Sequence, residues 1–204
     1  MKSPVAINPV MSRQYRSQTR PPVRSPHVGA KSPLPAKLEE VTLSDGRVLV
    51  LRPIDASDVI ALQRGFAHLS QEEVRMRFLH LLTELPDPLA HRLCDLDPAR
   101  EIAFVLVDPS EAEPEIHGVA RAVIDDVTHS AEFALVVQKA LTGQGLGERL
   151  MRHLFDACQR RDVDEIWGDV LAENHPMLAL CEHMGFERSP ALHDPGMVRV
   201  VAKI

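Results

Sequence analysis

The sequence predicts a domain of the α/β (α+β) class, in which a central mixed, twisted sheet carries helices on both faces. Three observations support this prediction. Apolar residues make up 45% and charged residues 25% of the 204 residues, which is a globular composition. Three strand-like apolar stretches follow one another between residues 102 and 137. After residue 145 helical and strand-like patterns alternate to the end of the chain, and this order is typical of a mixed sheet.

The first 37 residues differ from the rest of the chain. They contain seven of the sixteen prolines and seven basic side chains, and no acidic side chain. Such a segment buries too little apolar surface to offset the entropy lost on ordering. We therefore expect a disordered basic tail over residues 1–37 and a folded domain over residues 38–204. An organelle transit peptide is the alternative for this segment, although its prolines oppose the amphipathic helix of such peptides.

The folded region should begin with a β-hairpin around the turn Asp45-Gly46, or with one bent strand, followed by three helices. The middle helix starts at a capping box, in which the side chains of Ser70 and Glu73 each accept from the other residue's backbone N–H. The predicted elements of this half are strands at residues 41–43 and 48–51 and helices at residues 55–69, 70–80 and 85–96.

The second half contains the three strands named above and then alternates helices with strands. Leu146, Leu150 and Leu154 recur every four residues and indicate the buried face of a helix. Asn174 can cap the next helix, and Gly185 can end it. The predicted elements are strands at residues 102–107, 116–124, 131–137, 165–171 and 197–202 and helices at residues 145–161 and 174–185.

Charge and composition exclude several classes of function. Residues 38–204 carry 29 acidic and 16 basic side chains, so the domain is a poor surface for nucleic acid, whose phosphates need clustered lysines and arginines. No apolar run reaches the roughly 18 residues of a membrane-spanning helix, and we expect no membrane partner. Three scattered cysteines without a CxxC pair favour a reducing, cytoplasmic compartment. The ten histidines lack the spacing of a closed zinc site, so no metal is predicted.

The sharpest local signal is the run Thr-Gly-Gln-Gly-Leu-Gly at residues 142–147, between a predicted strand and a predicted helix. Its three glycines allow tight turns and let the backbone amides approach a ligand closely. The N-terminus of the following helix favours a phosphate group. A tight strand-to-helix connection without a ligand is the alternative explanation.

Two glutamates are candidate catalytic bases. Glu132 alternates with Ala134 and Val136 and therefore shares their face of the strand, where burial would raise the pKa of its carboxyl group toward neutrality. A carboxylate of this kind suits general-base catalysis, and an exposed edge glutamate without a catalytic task is the alternative. Glu173 and Asn174 follow the strand at residues 165–171, at the end where open α/β sheets place their ligands.

These residues together resemble the GNAT family of acyl-CoA-dependent N-acyltransferases. Residues 142–147 are similar to its pyrophosphate-binding motif, Q/R-x-x-G-x-G/A, and residues 174–186 are similar to its segment N-x-x-A-x-x-x-Y-x-x-x-G-F. Within the family the strongest likeness is to the Pat-type protein lysine acetyltransferases, through segments such as residues 75–80 and 168–174. The resemblance covers residues 40–204.

The resemblance implies that the strands at residues 131–137 and 165–171 splay apart and hold the pantetheine arm of acetyl-CoA. It implies that Glu132 is the general base that deprotonates the incoming lysine, because a lysine ammonium is not a nucleophile, with Glu173 as the reserve candidate. The positions implied to bind acetyl-CoA are Leu135, Val137, Thr142, Gly143, Gln144, Gly145, Leu146, Gly147 and Asn174.

Two positions depart from the family pattern. Thr142 stands where glutamine or arginine is usual, which removes a long polar arm from the phosphate motif. Cys181 stands where many members have a tyrosine that acts as general acid. Its thiol could protonate the departing thiolate, or it could only pack in the core.

The function implied is acetyl transfer from acetyl-CoA to the ε-amine of a lysine on another protein, such as an acyl-CoA synthetase. Two alternatives stay open. One is an enzyme that acetylates a small amine, and the other is a module that binds acyl-CoA without turnover. The sequence does not indicate the oligomeric state.

Overall fold

The structure is a computed structural model that describes residues 38–79, 82–191 and 196–204. The tail predicted over residues 1–37 lies outside the described residues, and so does His80, the expected last residue of the second helix.

A single eight-stranded sheet runs through the described domain in the order β1-β2-β3-β4-β5-β6-β8-β7. Neighbouring strands are antiparallel except β5 and β6, which are parallel. The strands are β1 Glu39–Thr42, β2 Val48–Pro53, β3 Glu101–Val107, β4 Ile116–Asp125, β5 Ser130–Val137, β6 Glu165–Leu171, β7 Glu187–Pro190 and β8 Met197–Lys203. The helices are α1 Val59–Ala67, α2 Gln71–Phe78, α3 Asp87–Cys94, α4 Leu146–Gln159 and α5 His175–His183.

The helix termini form where the capping residues predicted them. At the start of α2, Ser70 Oγ accepts from the Glu73 N–H and the Glu73 carboxylate accepts from the Ser70 N–H, at 3.2 and 2.8 Å. At the start of α5, Asn174 Oδ1 accepts from the Met177 N–H at 3.2 Å. Gly185 follows α5 with φ +83°, a left-handed conformation that ends the helix. The capping box and both ends of α5 are therefore confirmed.

Strand β7 is the one strand of the described chain that the sequence did not predict. It is short, and all four of its residues, Glu-Arg-Ser-Pro, are exposed. Its place at the edge of the sheet explains the missing alternation of apolar and polar residues, because only β8 pairs with it.

Helices cover the sheet on both faces, as predicted. Helices α4 and α5 enclose the larger apolar core, to which β5 contributes Ala131, Phe133 and Leu135. Helices α1, α2 and α3 cover the other face of the sheet with a second, smaller core. Alternate residues of β5 therefore serve different layers, and Glu132 lies on the α1–α3 side.

Helix α1 lies unusually close to the sheet. A Cβ atom added at Gly65 would lie 2.0 Å from the carbonyl oxygen of Ile116 on β4. Only a glycine permits this approach, because the obstacle is backbone that cannot rotate away. The position of α1 over β4 therefore depends on that residue.

No helix of the described residues is both long enough and apolar enough to cross a lipid bilayer.

The parallel pair β5–β6 separates soon after it forms. The two strands are paired only at Ser130, Ala131 and Glu132, although β5 continues to Val137 and β6 continues to Leu171. The expected splay between these strands is confirmed, and it opens a gap inside the sheet. This gap positions the candidate site.

Candidate active site

A groove of about 490 Å³ begins at the gap between β5 and β6. Helix α2, the end of β5, the loop that leads into α4, and the start of α5 form its walls. Of the positions predicted to bind acetyl-CoA, the structure places these along the groove: Leu135, Val137, Thr142, Gly143, Gly145, Leu146, Gly147 and Asn174.

The glycine-rich loop owes its shape to left-handed backbone. Gly143 and Gly145 have φ values of +78° and +73°, which other residues rarely adopt. A Cβ atom added at either residue would meet nothing within 4 Å, so conformation rather than crowding selects glycine there. Thr142 fixes the start of the loop by donating its hydroxyl proton to the Lys139 carbonyl at 2.8 Å. The loop thus carries its backbone N–H groups into the first turn of α4, where a negative charge is favoured.

Gln144 differs from its neighbours in the loop. Its side-chain oxygen accepts from the backbone N–H and the hydroxyl of Ser44, at 2.9 and 3.1 Å, and ties the loop to the turn between β1 and β2. This contact joins residues 100 positions apart, which no local pattern reveals. Its role in binding acetyl-CoA stays a prediction.

Glu132 is buried, as its position on β5 predicted. Its side chain is 8% exposed and borders two spaces. One is a small cavity of about 30 Å³ that it shares with Arg77, Leu135 and Asn174, three residues that also line the groove. The other is a trough of about 580 Å³ on the same face of the sheet as α1–α3, in the part that these helices do not cover. The carboxylate therefore lies between the groove and the trough.

The trough is polar and carries more negative than positive charge. Trp167 forms part of its wall, and the Arg199 guanidinium lies over the indole at 4.0 Å from the ring centroid. Arg199 also donates to both oxygens of Asp169, at 2.7 and 2.6 Å, and this pairing raises the pKa of Arg199. The other charged side chains along the trough are Asp125, Glu132, Asp164, Glu165 and Lys203.

The second candidate base, Glu173, has a different environment. Its side chain is 53% exposed and forms an ion pair with Arg75 at the rim of the groove. Asn174, the next residue, is engaged in capping α5. A carboxylate that is open to water and already paired is a poorer general base than a buried one, so the geometry favours Glu132 over Glu173.

Arg77 is a site residue that the sequence reasoning missed. It lies on the inner face of α2 with 8% exposure, and burial lowers its pKa to about 10. Its Nη1 atom has no hydrogen-bond partner among the described residues. The available signal was an arginine within the apolar stripe that Val74 and Phe78 define, since charged residues are seldom fully buried without a partner.

Cys181 is part of the apolar core. It is 1% exposed, and burial raises the pKa of its thiol to about 11. This environment favours the packing alternative for Cys181 over the general-acid one. In the described ranges, no three His, Cys, Asp or Glu side chains come together as a possible metal site.

The chain is similar to known acetyltransferases over most of its length. An acetyltransferase of Pseudomonas aeruginosa is 29% identical over 151 residues, which cover 73% of this chain and 81% of that protein. The [ribosomal protein bS18]-alanine N-acetyltransferase of Escherichia coli is 34% identical over 71 residues, 35% of this chain and 46% of the enzyme.

Solved structures show the same fold. The GNAT domain of S. lividans PAT superposes with a TM-score of 0.72 at 22% identity, covering 82% of this chain and 97% of that domain. A cAMP-binding acyltransferase from Mycobacterium smegmatis superposes with a TM-score of 0.56 at 21% identity, covering 83% of this chain and 48% of that protein. These likenesses confirm the predicted fold. The sequence profile of the Acetyltransferase (GNAT) family matches residues 67–186, more than half of the chain, and the protein therefore belongs to the GNAT family of acetyltransferases.

Proposed function

We propose that this protein transfers the acetyl group of acetyl-CoA to the ε-amine of a lysine on another protein, with Glu132 as the general base. One observation carries the proposal: the buried Glu132 carboxylate lies between the groove and the acidic trough. The groove would supply the thioester and the trough would supply the amine, so that the base lies where the two substrates meet.

The groove suits the coenzyme in shape and in polarity. The GNAT family uses acetyl-CoA as its acetyl donor. The edge of β5 that faces the gap offers backbone groups to the amides of the pantetheine arm, near Leu135 and Val137. The amides of the loop at residues 143–147 would hold the pyrophosphate at the start of α4. Because Thr142 adds no cation, the backbone amides would carry that contact without a long basic side chain.

The trough suits a lysine side chain. Its carboxylates outnumber its cations, and this excess attracts an ammonium group. The part of Trp167 that Arg199 does not cover offers an apolar wall along which the methylene stem of a lysine can pack. The charged head of that lysine would stay among the acidic groups. Because the trough is open to solvent, it leaves room for the substrate protein's backbone on both sides of the acceptor lysine. A closed pocket for a small amine would not leave this room.

The reaction needs one proton removed before the bond forms. Glu132 would take a proton from the lysine ammonium, whose ordinary pKa is about 10.4. The neutral amine would then attack the thioester carbonyl carbon, and the carbon–sulfur bond would break as the thiolate departs. The nitrogen would release its second proton to water, which leaves a neutral amide. The thiolate needs no acid of its own, because it is a tolerable leaving group near neutral pH. Cys181 would serve only as part of the core.

The relatives support a protein acceptor and also suggest a second kind of amine. The E. coli relative bears the name of an enzyme that acetylates an alanine of a ribosomal protein. An N-terminal α-amine, with an ordinary pKa of about 7.7 to 8.0, is therefore the second candidate acceptor. It would depend less on the base than lysine does, because a large fraction is already neutral near pH 8. A small free amine is the third candidate acceptor, and a domain that binds acyl-CoA without turnover is the non-enzymatic candidate.

The first experiment measures thiol release from acetyl-CoA with a cell lysate separated by size. We expect release with the macromolecular fraction, and mass spectrometry of the acetylated proteins should then find the group on lysine side chains. If only N-termini are acetylated, the acceptor is the α-amine and not the lysine side chain. Release with the small-molecule filtrate alone would make the protein a small-amine enzyme, and silence with both fractions would favour binding without catalysis.

The second experiment compares Glu132→Gln with Glu173→Gln. We expect Glu132→Gln to lower kcat by about 100-fold or more while acetyl-CoA still binds, because only the base is lost. Glu173→Gln is the matched control, and its kcat should change by less than about threefold, since it removes an exposed ion pair with Arg75. Full activity in Glu132→Gln, with loss in Glu173→Gln, would transfer the role of base to Glu173.

A further inference from the structure

We propose that Arg77 is a positioning residue that keeps the Glu132 carboxylate ionised inside the protein. This inference rests on the proposed role of Glu132 as general base. It concerns a residue of α2 that belongs neither to the glycine-rich loop nor to the segment that begins at Asn174.

Arg77 is buried where a cation needs an anion. Its side chain is 8% exposed, its Nη1 atom has no hydrogen-bond partner in the described part of the chain, and its guanidinium lies 4.9 Å from the Phe78 ring centroid. A buried guanidinium is strongly unfavourable unless a negative group compensates it. The second buried arginine on this face, Arg121, makes the position less favourable still, because the two positive charges repel each other.

Glu132 is the anion that compensates Arg77. The two side chains line the same small cavity, and the charge of Glu132 stabilises the charged form of Arg77. The effect is mutual, since a positive charge that gains from a carboxylate also stabilises that carboxylate. Burial alone would favour the protonated, inactive form of Glu132, and Arg77 opposes it.

The other cation near Glu132 is already engaged. Arg199 interacts electrostatically with Glu132, but its guanidinium donates to both oxygens of Asp169 and lies over Trp167. Arg121 also has an unpartnered nitrogen on this face, but it forms an ion pair with Glu101. Arg77 is therefore the neighbouring guanidinium that is compensated by no carboxylate other than Glu132 among the described residues. The charged groups that face Glu132 from the cavity and the trough are Arg77, Asp125, Asp164, Glu165, Asp169, Arg199 and Lys203. Glu101 on β3 and Arg121 on β4 lie on the same face of the sheet, close to Glu132 in the strand register.

Three of these neighbours, Asp125, Asp164 and Glu165, are acidic groups of the trough, and they make the role of Arg77 stronger. A carboxylate surrounded by other carboxylates binds protons more readily, because each like charge disfavours ionisation. Without Arg77, burial and the acidic trough would both favour the protonated form of the base. The acidic trough attracts the amine, but its negative charge also favours protonation of the base. A cation on the other side of the base offsets this effect.

The test is the pH dependence of kcat/KM in the wild-type protein, Arg77→Met and Arg77→Lys. In Arg77→Met we expect the midpoint of the acidic limb to move upward by at least about one pH unit. Activity should then fall about tenfold or more at pH values below the new midpoint and recover at high pH. Arg77→Lys keeps the positive charge and should keep the midpoint near its wild-type value. A uniform loss at every pH, a rise only in the KM for acetyl-CoA, or no change would overturn the proposal.

A second readout separates this inference from the proposed function. The titration of the Glu132 carboxyl group can be followed by NMR with ¹³C-labelled glutamate, with Glu132→Gln to assign the signal. We expect its midpoint to rise in Arg77→Met and to stay in Arg77→Lys. If the NMR midpoint rises while Glu132→Gln retains full activity, Arg77 acts as inferred and the role of Glu132 as base is wrong. If the NMR midpoint does not move, the inference about Arg77 is wrong whatever the activity shows. Melting temperature and acetyl-CoA binding verify that each variant is folded.

Discussion

The two faces of the sheet are built by different chemistry. Under α4 and α5 the core is apolar throughout, and residues such as Leu150 and Leu154 are completely buried. On the side of α1–α3 the domain also buries charged residues, which include Asp58, Arg77, Glu101, Arg121 and Glu132. The core of the apolar face gains its stability from packing, whereas the charged face gives up part of that gain to hold ionised groups away from water. The difference teaches that the proposed base lies on the side of the domain where burial and charge coincide.

The largest expected effect comes from disturbing the close contact between α1 and β4. We expect Gly65→Ala to lower the free energy of unfolding by more than about 3 kcal/mol, because the new Cβ would lie 2.0 Å from a backbone oxygen. Gly147→Ala is the matched control in α4. Its Cβ would lie 3.2 Å from the mobile end of Leu180, and its stability should stay within about 1 kcal/mol of wild type. Equal stability of the two variants in urea or thermal unfolding would contradict the close packing of α1.

A second prediction concerns the other buried charges of the same face, Glu101 and Arg121. Glu101 accepts from Arg92 at 2.8 and 2.9 Å and from Arg121 at 3.3 Å. We expect Glu101→Gln to cost about 2 to 3 kcal/mol of stability, since two partly or fully buried guanidinium groups lose their anion. Arg121→Met should cost less, because Glu101 keeps Arg92 and the unpartnered Nε of Arg121 disappears. Chemical denaturation measures both values, and a greater loss in Arg121→Met would reverse the assignment.

The smallest effect is expected at the rim of the apolar face. There Glu39 bonds with His153 and accepts from Arg149, each at 2.6 Å, and joins β1 to α4. The hydrogen bond with His153, followed by the pairing with Arg149, lowers the pKa of Glu39. These interactions of Glu39 therefore stabilise the folded protein at pH values above the ordinary glutamate pKa of 4.5. The stabilisation is lost as the pH falls through the lowered pKa of Glu39. We expect Glu39→Gln to cost about 0.5 kcal/mol at pH 7 and nothing at pH 2. A cost that persists at pH 2, measured by urea unfolding, would show a packing effect instead.

The sequence predicted the elements of the fold more completely than the site. The periodicity of apolar residues and the capping residues are local signals, and they located seven strands and five helices. Strand β7 was not predicted because its sequence has no apolar alternation. The groove could be predicted in outline because its glycines and Asn174 belong to recognisable local motifs. Arg77 could not be assigned to the site, since its relation to Glu132 arises only when α2 packs over β5. The same is true of Arg199 and Asp169, which come together through strand pairing across 30 residues.

The early separation of β5 from β6 leaves an edge strand inside the sheet. From Phe133 to Val137, β5 has a strand partner only on its β4 side. Open edges normally invite another polypeptide to add a strand, which is a route to aggregation. Here the edge lies at the bottom of a groove walled by α2 and α5, so a thin chain of amide groups can reach it while a folded sheet cannot. The fold thereby leaves the unpaired backbone groups of β5 accessible to a narrow ligand. It also shields them from pairing with a strand of another protein.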